Sequence, residues 1–351
     1  MKIVFTGGGT GGSIMPLLSV AKKVKAIRPD VELYFIGPRD GTIEFELFEG
    51  EAISSRRVFC GKFRRYFSLK NVVDIFLIVL GFFQSIGIFL RMRPDVIIGS
   101  GGYVQVPVMW AGWVCGARIY IHQQDVRPSL SNILMLNVAK RITVSFEKSL
   151  ARFPAHKTEW TGNPVRHIFT QPNPQRAFTG LNFDQNIPII LILGGGTGST
   201  GLNSIVQQSL PKLIEQYQII HCTGVGKRVA GIDHAHYRQF EFISDGIADY
   251  MAAAQVVVSR AGLSTLSELS TVSAVTLLVP LPDSHQEENA LYFAEKNAAE
   301  VILQKDLSPG RFMNTLNVLA TDVVRREQLS SSMGKMMKPD ADSTIASLLI
   351  N

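Results

Sequence analysis

The sequence predicts an α/β protein with two Rossmann-like domains, each built on a parallel sheet. Three observations predict the paired α/β plan. Short apolar runs ending in glycine or polar turns alternate with helix-length stretches, the pattern begins twice, and both beginnings lead from an apolar strand into a glycine-rich turn. A chain of 351 residues has room for two such domains, and with 46% hydrophobic and 18% charged residues it is too apolar for disorder.

In the first half, residues 3–5, 31–36, 96–98, 119–121 and 142–144 have the near-continuous apolar character of strands buried on both faces. Residues 17–27 and 130–139 are long enough for helices between them. The second half restarts at 189–193 and continues through 218–221, 240–243, 256–259, 275–279 and 300–303. Residues 161–164 and the polar stretch 171–176 form the expected hinge between an N-terminal domain, 1–163, and a C-terminal domain, 164–335. Residues 336–351 are expected to form a terminal helix that packs back on the N-terminal domain. A cleft between the domains is the expected active site.

Composition narrows the chemistry. Cys60, Cys115 and Cys222 lie far apart with no CxxC pair, which fits a reducing compartment and gives no thiolate metal site. The N-terminus has one lysine and a short apolar run before its glycines, so it reads as a strand and not as an export signal. The formal charge of +6 suits nucleic acid, anionic lipid or a phosphorylated ligand.

The first glycine turn, GGGTGG at 7–12, contains GxGxxG, but the second strand ends in Gly37, Pro38 and Arg39 where a dinucleotide site wants an acidic residue. What remains is general: glycines let backbone N–H groups approach an anion, and the following helix offers its positive end. The second domain repeats the device as GGGTGS at 194–199, and GSGGY at 99–103 leaves a third strand. Residues 259–268, SRAGLSTLSE, enter a helix with Ser264 or Thr265 as its expected cap and Glu268 facing the same opening, where a carboxylate suits vicinal ribose hydroxyls.

Residues 56–70 carry six basic residues, no acidic ones and four aromatics, with Phe63, Arg64, Arg65, Tyr66 and Phe67 at the centre. That composition fits anionic headgroups, and no nucleic-acid motif accompanies it. The uncharged run 75–90, with Ile75, Leu80, Phe82 and Phe83, is a turn shorter than the roughly 20 residues of a spanning helix. It reads as a domain helix that exposes one face to lipid. Asp340 and Asp342 read as a helix cap rather than a metal motif, His234 and His236 lack partner ligands, and neither GxSxG nor HExxH occurs.

GGGTGG, GSGGY, HQQD at 122–125, GNPVR at 162–166, SRAGLSTLSE and HQxxNA at 285–290 occur together and in one order over nearly the whole chain. In that combination the chain resembles the MurG family of UDP-N-acetylglucosamine–N-acetylmuramyl-(pentapeptide) pyrophosphoryl-undecaprenol N-acetylglucosamine transferases. The resemblance implies a GT-B enzyme of peptidoglycan synthesis, peripheral on the cytoplasmic face of the membrane and tied to cell shape and division. UDP-N-acetylglucosamine is then the donor, with no tightly bound cofactor and no metal. The partners are a lipid-linked muramyl-pentapeptide acceptor, the anionic leaflet and other cell-wall synthesis proteins.

Carried over by position, Glu268 resembles the ribose carboxylate and Ile243 the residue whose backbone meets uracil. Arg166, Gly195, Gly196 and Thr197 resemble the diphosphate contacts, with Gly262, Leu263, Ser264 and Thr265 beside them. Gln286 and Asn289 resemble contacts to the donor sugar and ribose. The acceptor face corresponds to Thr10, Gly11, Gly12, Gly101, Gly102, Tyr103, Gln124 and Asp125. The family pattern has His and Glu where this chain has Ser13 and Gln123. Neither replacement titrates usefully near pH 7, so His122 and Asp125 are the candidate bases, with Ser13 at the third catalytic position. Two alternatives stay open: a GT-B relative with another lipid-linked acceptor, and a non-catalytic UDP-sugar-binding protein.

Overall fold

The apolar runs become the central strands of two wholly parallel sheets in the computed structural model, which describes residues 1–8, 11–62, 70–195, 198–229 and 231–351, the side chains of Gly11, Ser13, Ile43, Lys70 and Asn71 excepted. One unit comprises Met1–Val165 with Lys338–Asn351, and the other Arg166–Met337.

The first unit runs β1 (Lys2–Thr6), α1 (Gly11–Ile27), β2 (Glu32–Pro38), α2 (Ile43–Glu49), β3 (Ser54–Val58), α3 (Lys70–Met92), β4 (Val96–Gly99), α4 (Gln105–Val114), β5 (Arg118–Gln123), α5 (Leu130–Leu134), β6 (Ala139–Val144) and β7 (Thr158–Trp160). Its seven strands lie in the order β3-β2-β1-β4-β5-β6-β7. Phe35 stacks on Phe48 at 4.3 Å between ring centroids, and both belong to a core with Phe5, Ile14 and Leu17.

The second unit holds α6 (Gln175–Leu181), β8 (Ile189–Leu193), α7 (Thr200–Gln216), β9 (Gln218–Cys222), β10 (Tyr237–Phe240), α8 (Ile247–Ala253), β11 (Ala254–Ser259), α9 (Leu263–Thr271), β12 (Thr276–Leu278), α10 (His285–Glu295), β13 (Glu300–Val301), α11 (Pro309–Thr321) and α12 (Val323–Met333). Its sheet order is β10-β9-β8-β11-β12-β13. The chain then returns to the first unit as α13 (Ala341–Ile350), where Ile345, Ala346 and Leu349 join the core around α1.

Several elements differ from expectation for physical reasons. β3 (SSRRV) and β7 (TEW) are edge strands, so they lack the continuous apolar run that marks a buried strand. The helix expected over 130–139 stops at Leu134, and β6 begins at Ala139. β10 ends at Phe240, where the expected strand began.

The largest difference is α3, which spans 23 residues where the uncharged run covers 16. Its segment Val72–Met92 is long and apolar enough, by length and composition alone, to cross a membrane. Over its first four turns its amphipathicity is inverted, while Phe82, Ile86 and Phe89 further along pack on the core. Asp74, Gly81 and Ser85 recur at helical spacing on the buried side, whereas Val72, Val73, Ile75, Phe76, Val79, Leu80, Phe83 and Leu90 are exposed.

The polar groups of α3, half-buried Gln84 and buried Asp74 among them, have backbone partners. Gln84 accepts from Phe59 N at 2.9 Å and donates to Arg57 O at 3.1 Å, while Asp74 accepts from Lys62 N at 3.2 Å. A Cβ at Gly81 would stand 1.9 Å from Phe59 O, so only glycine admits this approach. The chain after β3 thus grips the polar side of α3, and the apolar side faces outward.

Candidate functional site

Open parallel sheets bind ligands at the carboxyl ends of their strands, where the strand order reverses. In the first sheet that point lies between β1 and β4, and in the second between β8 and β11. The glycine turns expected to meet ligand follow these four strands.

In the first unit the turns interlock. Gly102 has φ +89°, and a Cβ there would meet Gly8 O at 2.3 Å, so the exits of β1 and β4 touch through bare backbone. Gly101 does not offer its N–H to a ligand: it donates to the Gln105 side chain at 2.8 Å. Tyr103 is half-exposed, its hydroxyl 3.5 Å from Asp40 Oδ1 and its ring under the Lys62 ammonium at 5.2 Å. Burial pushes the Tyr103 hydroxyl pKa up. Gly11 and Gly12 open α1, whereas Thr10 lies outside the described residues, as does the side chain of Ser13.

The structure corrects the reading of His122 as a base. The imidazole is 1% exposed and saturated, with Nδ1 2.9 Å from Thr143 Oγ1, Nε2 3.0 Å from Asn163 Oδ1 and Ser145 Oγ 3.3 Å from Nε2. Burial holds its pKa down at about 4, with Asn163 opposing the shift. A neutral, enclosed ring bonded on both nitrogens has no route to a substrate hydroxyl. Gln124 is buried, while Asp125, on the loop after β5, is partly exposed.

Gln123 is equally occupied. Its Nε2 donates to Asp125 O at 2.8 Å and Arg127 O at 3.0 Å, and its Oε1 accepts from Asn132 Nδ2 at 2.7 Å and Ser129 N at 3.2 Å. The position uses an amide as donor and acceptor together, which an ionised carboxylate cannot match.

In the second unit, α9 begins at Leu263 with Gly262 at its N-cap and no side-chain cap, which corrects the expectation that Ser264 or Thr265 caps it. With glycine at the N-cap, the start of α9 has no capping side chain, an arrangement that suits an anion. Glu268 follows one turn later, on the same helix.

Arg166 binds Glu268 through Nε at 3.0 Å and Nη2 at 2.6 Å, both to Oε1. Oε2 has no hydrogen bond among the described residues. Burial raises the Glu268 carboxyl pKa and the Arg166 guanidinium works against that rise.

Below the glycine turn after β8, Arg260 is buried and donates to Val279 O, Pro280 O, Gln304 Oε1 and Ser199 Oγ. Ser199 in turn caps α7 by accepting from Leu202 N. All the acceptors around this guanidinium are neutral, so its charge is uncompensated within the described residues and favours an anion at the turn. Gly195 has φ +82°, and Gly196 and Thr197 lie outside the described residues.

Gln286, on the first turn of α10, accepts from Leu281 N at 3.1 Å, and its Nε2 makes no hydrogen bond among the described residues. Asn289 requires correction as a ligand contact: it is fully buried and donates to Ala261 O at 3.2 Å, so it holds the turn before α9. The Ile243 side chain is buried beyond β10.

Sequence reasoning missed Gln105, Asn132 and Arg260. Each is a polar residue within an otherwise apolar strand exit or helix start, a signal that only a partner in space makes legible. Of the expected membrane residues, Ile75, Leu80 and Phe83 are exposed, Phe82 is half-buried against the core, and Phe63, Arg64, Arg65, Tyr66 and Phe67 lie outside the described residues. The described residues include no group of three His, Cys, Asp or Glu side chains placed to hold a metal.

Two parallel-sheet units, each with a glycine turn at its switch point, form the fold of the GT-B class. The glycosyltransferase family 28 N-terminal domain matches residues 3–144, and the family 28 C-terminal domain matches residues 189–345. A UDP-N-acetylglucosamine–N-acetylmuramyl-(pentapeptide) pyrophosphoryl-undecaprenol N-acetylglucosamine transferase of Bacillus thuringiensis (strain Al Hakam) is 33% identical over 98% of this chain and 97% of its own. A transferase of the same name from Staphylococcus aureus (strain MRSA252) is 34% identical over 92% of each chain. The crystal structure of Acinetobacter baumannii MurG has a TM-score of 0.77 at 22% identity and covers 99% of both chains, a likeness of fold. The chain belongs to the family of these N-acetylglucosamine transferases, within glycosyltransferase family 28.

Proposed function

We propose that this protein transfers N-acetylglucosamine from UDP-N-acetylglucosamine to a lipid-linked N-acetylmuramyl-pentapeptide, with inversion at the anomeric carbon, at the cytoplasmic face of the membrane. The observation that carries the reading is the uncapped start of α9 beside the Arg166–Glu268 pair at the switch point of the second sheet. Negative charge develops on a departing diphosphate, and helix-start N–H groups with nearby guanidinium groups stabilise it as it forms.

The second unit takes the donor. Glu268 Oε2 accepts from ribose hydroxyls, Arg166 and the glycine turn with Gly195 hold the diphosphate, and buried Arg260 adds positive potential from beneath. Gln286 Nε2 donates to the sugar, and backbone at Ile243 meets the base.

The first unit takes the acceptor along Gly12, Gly102 and Tyr103. With His122 enclosed, Asp125 is the group that removes the acceptor proton. The acceptor oxygen bonds to the anomeric carbon, the bond from that carbon to the diphosphate breaks, and UDP leaves. The outward apolar side of α3 rests in the interface of an anionic leaflet, with its polar side held by the protein. These roles fit a place in cell-wall synthesis.

The test is UDP release with and without the lipid-linked muramyl-pentapeptide in anionic vesicles. Release that depends on this acceptor supports the reading, and transfer only to a different lipid-linked acceptor overturns the substrate assignment.

A further inference from the structure

Three buried side-chain amides connect the two acceptor-side strand exits of the first unit, head to tail. Gly101 N donates to Gln105 Oε1 at 2.8 Å, Gln105 Nε2 to Asn132 Oδ1 at 2.6 Å, and Asn132 Nδ2 to Gln123 Oε1 at 2.7 Å. Gln123 Nε2 completes the chain by donating to Asp125 O and Arg127 O at 2.8 and 3.0 Å. Gln105 and Asn132 have no exposed surface and Gln123 has 1%. The links run in one direction, so each amide polarises the next.

The chain ties the glycine turn after β4 to the loop after β5 that carries Asp125. We propose that Gln105, Asn132 and Gln123 form a positioning relay that sets the Asp125 loop against the Gly101 turn for acceptor deprotonation. The relay rests on the acceptor assignment above, and it treats Gln123 as a required amide and not as a lost base. Although the family pattern has Glu at this position, this chain needs a neutral amide there, because two carbonyl oxygens converge on Gln123 Nε2. An ionised carboxylate there would place negative charge against both, buried and without a donor to offer. A protonated carboxyl would restore one donor.

Two variants test the relay, with two readouts. Gln123→Glu should lower kcat at least ten-fold at neutral pH and change the KM for UDP-N-acetylglucosamine less than two-fold. The ratio of variant to parent activity should rise as pH falls and the introduced carboxyl gains its proton. Gln123→Leu should be slow at every pH. In the same Leu variant, backbone amide exchange should quicken together at Gly101 and at Asp125, Val126, Arg127 and Ser129, with the second unit unchanged.

Equal or higher turnover for Gln123→Glu, or a ratio that does not depend on pH, would overturn the relay. Exchange that quickens only beside position 123 would overturn it as well. Exchange does not depend on substrate, so paired quickening in a protein that transfers nothing would support the relay while the transferase reading fails.

Discussion

Arg166 and Glu268 are 102 positions apart in sequence and meet through two guanidinium nitrogens on one carboxylate oxygen, Oε1. This pair leaves Oε2 without a hydrogen bond among the described residues, and the proposed function gives it the ligand hydroxyls. Glu268→Ala removes that acceptor and strands a half-buried guanidinium. UDP affinity should fall at least ten-fold, about 1.4 kcal/mol, in a calorimetric titration. Unchanged affinity would remove Glu268 from the nucleotide site.

Asp125→Asn should lower kcat by about 100-fold, within the usual range for a general base, while UDP binding stays unchanged because that site is in the other unit. A rapid-quench assay at saturating substrates reads the effect. Retention of parent turnover would send the proton elsewhere.

The enclosed histidines predict how stability depends on pH. His122 and His221 are both held at about 4, below the ordinary value of 6.5, by burial. Between these values the folded chain binds fewer protons than the unfolded chain, so their stabilisation is full above pH 6.5 and is lost as pH falls through about 4. Each contributes on the order of 3 kcal/mol. Tm should drop steeply over this window, and His122→Gln should make the drop shallower. An imidazole resonance of His122 titrating near 6.5 would contradict the enclosure.

The exposed side of α3 predicts a membrane phenotype without a folding phenotype. Phe76 is 72% exposed and Phe83 63%. Replacing both with Glu should release the protein from anionic vesicles in a flotation assay, with Tm unchanged because surface positions contribute within about 0.5 kcal/mol. Persistent flotation would place the lipid contact elsewhere.

Much of this architecture was legible in the residues. The apolar runs that became β1, β4, β5, β8 and β11 are buried on both faces and announce themselves, and the glycine turns after four of those five flank the switch points. Edge strand β3 did not, because Ser54, Arg56 and Arg57 are exposed and carry no apolar signal. Glu268 and Arg166, singled out in the sequence by residue type, meet in the fold as an ion pair. The site was not legible at His122, since a histidine at a strand end gives no sign that Thr143 and Asn163 will close over it. Nor could spacing reveal that Asn132 turns Gln123 from a weakened acid into a structural amide. Both depend on partners that only the fold brings together.

The most direct test of the central claim is mass and anomeric analysis of the lipid product formed from UDP-N-acetylglucosamine and lipid-linked N-acetylmuramyl-pentapeptide. The account predicts one added N-acetylhexosamine per acceptor, inverted at the anomeric carbon, with one UDP released for each. A protein that binds UDP-N-acetylglucosamine yet leaves the lipid unmodified would contradict it.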